Sequence, residues 1–246
     1  MAPPPSTISG TVTNVAGTGI VNATVSYSGG TATAATNSSG AYTLSVASGT
    51  YSVTAAAAGY QSLTQQNVSV TSGTTATVNF NMAQSPGTIS GTVTNAAGAG
   101  IFNATVSYSG GSTTASTNSS GGYTLSIAPG TYTVTFTATG YQTATKQNFS
   151  VTTSVTTTVN VSLVQSPGTI TGKVTNASGA GIANATVSYN GGTTKAVTNS
   201  TGAYTLSVAA GTYSLTVKAT GYLSTTKQNV SVAAGGTTSV NFSLKR

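Results

Sequence analysis

A chain of 246 residues with no Asp, Glu, His or Cys lacks the usual general acids and bases, hard-cation ligands, zinc ligands and thiol nucleophiles. Its seven cations all lie at or after Lys146 (Lys146, Lys173, Lys195, Lys218, Lys227, Lys245 and Arg246), so the basic balance is an absence of acid rather than a basic patch. Catalysis, a metal, any other cofactor and a nucleic-acid face are therefore not expected.

The absence of cysteine leaves no disulfide framework, and no apolar run approaches a membrane span. The opening residues, Met1-Ala2-Pro3-Pro4-Pro5-Ser6, carry no secretion signal; they read first as a mature or recombinant chain from which a signal was removed, and second as a cytosolic protein. Solubility must rest on hydroxyls and amides, with or without attached sugar.

Along the chain the dominant signal is a repeat. Ile8, Gly10, Tyr27, Gly40, Tyr42, Tyr51, Tyr60 and Asn67 recur as Ile89, Gly91, Tyr108, Gly121, Tyr123, Tyr132, Tyr141 and Asn148. They recur again as Ile170, Gly172, Tyr189, Gly202, Tyr204, Tyr213, Tyr222 and Asn229, at a spacing of 81 residues both times. Copies of that size are whole small domains, here 1–84, 85–165 and 166–246. The joints at 83–88 and 164–169 are short and hold one proline each, Pro86 and Pro167, which favours a stiff rod. The N-terminus copies a joint, Ser6-Thr7-Ile8 lying in register with Gly87-Thr88-Ile89.

Within each copy the period is two. In the middle one, Ile89, Gly91 and Val93 alternate with polar residues, as do Tyr123, Leu125 and Ile127, then Tyr132, Val134 and Phe136, then Val159, Val161 and Leu163. Turn clusters at 95–100, 109–111, 118–121 and 128–130 separate them. This predicts about seven short strands per copy, no helix, and an all-β sandwich for each. The core rests on Ile, Val, Leu, Tyr and much Ala, thin for a domain of this size.

The residues ISGTVT at 89–94, NATVSY at 103–108 and TNSSGGYTLSIAPGTYTVTFTATGY at 117–141 resemble the carboxypeptidase regulatory-like domain. The pattern is carried by Gly121, Tyr123, Leu125, Gly130, Tyr132, Gly140 and Tyr141, and it covers the chain three times. The resemblance implies a seven-stranded Greek-key sandwich of the prealbumin (transthyretin) type and a non-catalytic surface or accessory module. The family usually has Asp where this chain has Asn14, Asn95 and Asn176, and again where it has Asn37, Asn118 and Asn199. Asn serves such turns as well as Asp but removes the charge. Life in strong acid, a designed or consensus sequence, and assignment of residues from an experimental map would each produce that substitution.

Candidate N-glycosylation sequons are dense: Asn22, Asn37, Asn67, Asn103, Asn118, Asn148, Asn160, Asn176, Asn184, Asn199, Asn229 and Asn241. A chain so rich in Asn, Ser and Thr also generates sequons by chance. Lys173 and Asn241 occupy the first and last strands of the third copy, as in isopeptide-linked surface domains. That chemistry needs a buried carboxylic acid, none exists, and Lys173 reads as a solvated lysine. Tyr60, Tyr141 and Tyr222 are the tyrosines best placed for exposure and sugar contact; the rest read as core.

The leading expectation is an extracellular structural protein: a rod-like stalk or the subunit of a surface filament, tolerant of acid and assembling end to end. Ala2, Pro3, Pro4, Pro5, Ser6 and Thr7 would meet Phe242 and Leu244 of a neighbour in a non-closing contact. The alternative is a non-catalytic, adhesive or carbohydrate-binding accessory array cut from a larger secreted protein, with glycans as partners.

Overall fold

The computed structural model describes residues 5–246, and among these there is no helix. The first copy contributes β1 (Ser6–Asn14), β2 (Thr24–Tyr27), β3 (Thr33–Ala35), β4 (Ala41–Val46), β5 (Gly49–Ala56), β6 (Leu63–Val70), β7 (Thr75–Thr77) and β8 (Phe80–Met82). The second repeats them as β9 (Gly87–Thr94), β10 (Thr105–Tyr108), β11 (Ala115–Ser116), β12 (Gly122–Ile127), β13 (Gly130–Thr137), β14 (Ala144–Val151), β15 (Thr156–Thr158) and β16 (Val161–Ser162). The third does so as β17 (Gly168–Asn176), β18 (Thr186–Tyr189), β19 (Ala196–Val197), β20 (Ala203–Val208), β21 (Gly211–Lys218), β22 (Thr225–Val232), β23 (Thr237–Ser239) and β24 (Phe242–Leu244).

The strands form six four-stranded sheets in three repeated pairs, the all-β sandwich arrangement expected. In the first pair one sheet runs β4-β1-β7 with β8 also on β1, and the other runs β3-β2-β5-β6. β1 is antiparallel to β4, with Ile8 opposite Leu44, and parallel to β7 and β8. Alternation drives the packing: Tyr42, Leu44 and Val46 of β4 point inward while Thr43 and Ser45 do not. Ile8, Val12, Leu44, Phe80 and Met82 from one sheet meet Val25, Val53, Ala55, Val68 and Val70 from the other. Each fully buried Val, Leu or Ile contributes about 1.5–3 kcal/mol. The third copy buries the equivalent set around Ile170, Leu206, Leu215, Val217 and Phe242.

Eight strands per copy are found where about seven were expected. The last strand is broken in two at Val78 and Asn79, where Gly10 lets β1 approach the Val78 carbonyl so closely that an added Cβ would lie 1.8 Å from the oxygen. The Asn79 side chain then replaces a ladder bond, its Oδ1 accepting from the Thr11 N–H at 2.8 Å.

By compactness the chain forms two units. One comprises the residues up to Ile89 with Ser126–Thr131 and Ser150–Thr157; the other comprises Ser90–Leu125, Tyr132–Phe149 and Thr158–Arg246.

Candidate functional site: the asparagine turns and the joints

The turn asparagines work through one atom. Asn14 Oδ1 accepts from the N–H groups of Ala16 and Thr18, both at 3.0 Å. Asn37 Oδ1 accepts from Ser39 N–H at 3.0 Å, Ser39 Oγ at 2.8 Å and Ala41 N–H at 2.9 Å. Asn95 and Asn118, then Asn176 and Asn199, repeat these bonds. An Asp carboxylate would offer the same acceptor, so the turns keep their wiring without the charge.

The other sequons also hold structural posts. Asn22, Asn103 and Asn184 have φ of 57°, 56° and 60°, and Asn67, Asn148 and Asn229 have φ of 60°, 53° and 59°. This left-handed region is one that Asn enters more readily than most residues. Asn67 and Asn229 are the extra residues of bulges: the register slips between Tyr51 and Val53 against β6, and between Tyr213 and Leu215 against β22. Asn160 Oδ1 takes the Thr92 N–H at 2.9 Å and Asn241 Oδ1 the Lys173 N–H at 2.8 Å. Lys173 thus meets Asn241 through its backbone, and its side chain is exposed. Of the twelve sequon asparagines, all are exposed except Asn176, which is half-buried.

The tyrosines fall into two groups, three buried and nine half-buried, and Tyr60, Tyr141 and Tyr222 are no more exposed than the rest of the second group. Tyr42, Tyr123 and Tyr204 are buried, and their hydroxyls donate to the carbonyls of Val78 (2.8 Å), Val159 (2.8 Å) and Val240 (2.6 Å). Burial pushes each phenol up to about 12. Tyr27 and Tyr51 stack edge to face at 5.1 Å, as do Tyr189 and Tyr213. A polar feature unanticipated from sequence is the buried trio Thr36, Thr117 and Thr198. Thr36 Oγ1 accepts from Ala23 N–H at 2.8 Å and donates to the Ile20 carbonyl at 2.5 Å, and the other two repeat this.

Tyr60, Tyr141 and Tyr222 are half-buried, and the first two pair with the joints. Tyr60 bridges to Gln84 and Tyr141 to Gln165, while the Arg246 guanidinium lies 5.7 Å over the Tyr222 ring. At the first joint, Gln61 N–H donates to Ala83 O and Ser85 N–H to Gly59 O, both at 2.9 Å. At the second, Gln142 N–H donates to Val164 O at 2.8 Å and Ser166 N–H to Gly140 O at 2.9 Å. The following copy then adds its own bond: Ser154 N–H to Pro86 O and Gly235 N–H to Ser166 O, each at 3.2 Å. Ser166 is therefore tied through its nitrogen to the second copy and through its oxygen to the third. Gly140, with φ of 81°, fits against the third copy so closely that a Cβ would stand 3.1 Å from Ala234 Cβ.

Ala2, Pro3 and Pro4 lie outside the described residues. Pro5 is exposed, while Ser6 is buried with its Oγ accepting from Gly73 N–H at 3.0 Å. Thr7 Oγ1 bonds Thr75 Oγ1 at 2.7 Å, and Phe242 and Leu244 are buried in the third core. Ser6, Thr7, Phe242 and Leu244 are thus occupied within their own sandwiches. Two clefts recur at one place: about 420 Å³ lined by Asn103, Thr105, Thr137, Thr139, Tyr141 and Thr143, and about 350 Å³ lined by Asn184, Thr186, Lys218 and Thr220.

A search of curated proteins finds no match. Among solved structures, the Bacillus anthracis TIE protein is 17% identical over 98% of this chain, with a TM-score of 0.41; this chain spans 51% of its length. BcpA, the major pilin subunit of Bacillus cereus, is 11% identical over 98% of this chain and 99% of its own, with a TM-score of 0.33. A mutant cohesin–X-dockerin complex from Acetivibrio cellulolyticus is 31% identical over 31% of this chain and 56% of its own, with a TM-score of 0.28. None of these likenesses bears on function. The sequence profile of the carboxypeptidase regulatory-like domain matches residues 7–83, 88–164 and 169–245, and the chain belongs to that family three times over.

Proposed function

We propose that the chain is an extracellular structural protein, a stalk or the repeating subunit of a surface filament that assembles end to end, organised as domains 1–84, 85–165 and 166–246. The observation that carries this reading is the double tie at Ser166. A linker bonded to the copy on each side resists bending and transmits tension, which a free tether does not. The inventory agrees: with no carboxylate side chain, imidazole or thiol, the usual partners of a Ser or Thr nucleophile are missing, and a Ser-Lys pair is conceivable in the third copy alone.

The experiment is negative-stain electron microscopy of the purified chain at high concentration, beside a chain lacking residues 1–5. Fibres from the full chain and none from the shortened one support assembly through the N-terminal segment. A full chain that stays monomeric defeats the filament reading.

The recurring polar clefts favour one alternative, an accessory array that contacts neutral carbohydrate. Hydroxyls and amides beside Tyr141 are suited to sugar hydroxyls and a sugar face. Calorimetric titration with cellohexaose and mannohexaose tests it, with Tyr141→Ala removing the response if the cleft is the site.

A further inference from the structure

The chain contains one Asn-Gly step, Asn190-Gly191; every other asparagine is followed by a residue that bears a Cβ. The first two copies hold Ser28-Gly29 and Ser109-Gly110 at this place. In all three the side chain accepts the same backbone bond: Ser28 Oγ from Ser52 N–H at 2.9 Å, Ser109 Oγ from Thr133 N–H at 3.0 Å, and Asn190 Oδ1 from Ser214 N–H at 2.6 Å. Asn190 is exposed, and Gly191 follows at φ of 79°.

We propose that Asn190 is a site of spontaneous deamidation, the third copy having exchanged an inert hydroxyl for a reactive amide. The Gly191 backbone nitrogen attacks Asn190 Cγ. A C–N bond forms there, the Cγ–Nδ2 bond breaks, and Nδ2 leaves as ammonia with the proton that the Gly191 nitrogen gives up. The resulting succinimide is opened by water. Attack at Cγ yields Asp; attack at the α-carbonyl yields isoaspartate, with the main chain routed through the side chain. No electron transfer is involved.

Two features of the site favour the first step. Gly191 has no Cβ to obstruct ring closure. The Ser214 N–H is aimed at Oδ1, the oxygen on which negative charge develops, as a preorganised donor should be. Exposure supplies the water and lets ammonia escape. The product is the only acidic side chain in the molecule, on the same loop between β18 and β19 as Lys195. Its carboxylate is ionised at neutral pH.

The test follows the purified full chain in mildly alkaline, ammonia-free buffer by isoelectric focusing and peptide mass spectrometry, beside N190S. That variant restores the acceptor used by the other copies, so it keeps the bond to Ser214. The expected result is a fall of one unit from the formal net charge of +7. The conversion should map to Asn190 in tryptic peptide 174–195 ahead of Asn199 in peptide 196–218, and N190S should keep its charge. An acidic species that forms equally fast in N190S overturns the proposal. So does a native chain that keeps its charge while the urea-unfolded chain loses it.

Discussion

The Tyr204 hydroxyl donates a 2.6 Å hydrogen bond to the Val240 carbonyl, joining β20 to the residue at which the last strand of the sandwich breaks. The bond is local to one copy, and Tyr42 with Val78 and Tyr123 with Val159 reproduce it.

Alkaline unfolding should report on these three phenols. Each folded value is raised to about 12 from 10.0. Between those values the unfolded chain gives up protons that the folded chain keeps, so stability falls as pH rises. Below the unfolded value their contribution is fully present. Melting temperature measured from pH 9 to 12 should drop across that window, and Y204F should drop less steeply. At neutral pH, Y204F should lose about 1 kcal/mol of stability, the net worth of one such bond.

Acid should do little, because no Asp, Glu or His is present to titrate. A single carboxylate should reveal what that absence achieves. Asn199→Asp keeps an acceptor for Thr201 N–H, Thr201 Oγ1 and Ala203 N–H. Three such donors favour the charged form and hold its pKa below the unfolded value of about 3.9. Its stabilisation is then present above the unfolded value and lost as pH falls through the folded one. The variant should match the parent at pH 7 and melt lower at pH 2, while the parent stays flat. A parent that also melts lower at pH 2 would overturn the account.

Gly140 at the second joint and its counterpart Gly221 in the third copy offer an internal control. Gly140 and Gly221 have φ of 81° and 80°, so alanine at either meets the same backbone strain, about 1–2 kcal/mol. Around Gly221 nothing lies within 4 Å of an added Cβ, whereas at Gly140 it would stand 3.1 Å from Ala234 Cβ and 3.3 Å from its carbonyl. Gly140→Ala should therefore lower the melting temperature more than Gly221→Ala. Only the former should speed proteolytic cleavage at 164–167. Equal effects would mean that the packing of the joint against the third copy contributes nothing.

The strands were legible because inward and outward residues differ in kind: Tyr42, Leu44 and Val46 against Thr43 and Ser45. Thr36 was illegible for the converse reason. It is written like any outward threonine, and only the carbonyl of Ile20 and the N–H of Ala23 make its burial tolerable. Its one sequence mark is its recurrence ahead of Asn37, Asn118 and Asn199. The broken last strand was hidden because Val78, Asn79 and Phe80 continue the alternation across the break. Asn67 is legible as a repeat marker but not as a bulge, since its left-handed backbone leaves no trace in a two-residue period. The pairing of the joints runs through backbone groups, which carry no residue identity.

The bulges at Asn67 and Asn229 sit on β6 and β22, each the outermost strand of its sheet. An outermost strand carries unpaired backbone groups that invite another chain to add on, and proteins commonly forestall this with lysine, inward charges or a kink. β6 has no charged residue at all, so the kink is the one of these devices it has. A left-handed asparagine midway along the strand twists the edge out of the straight line that a docking strand must follow. A first copy with no charged side chain is thereby turned away from sheet-to-sheet growth along that margin.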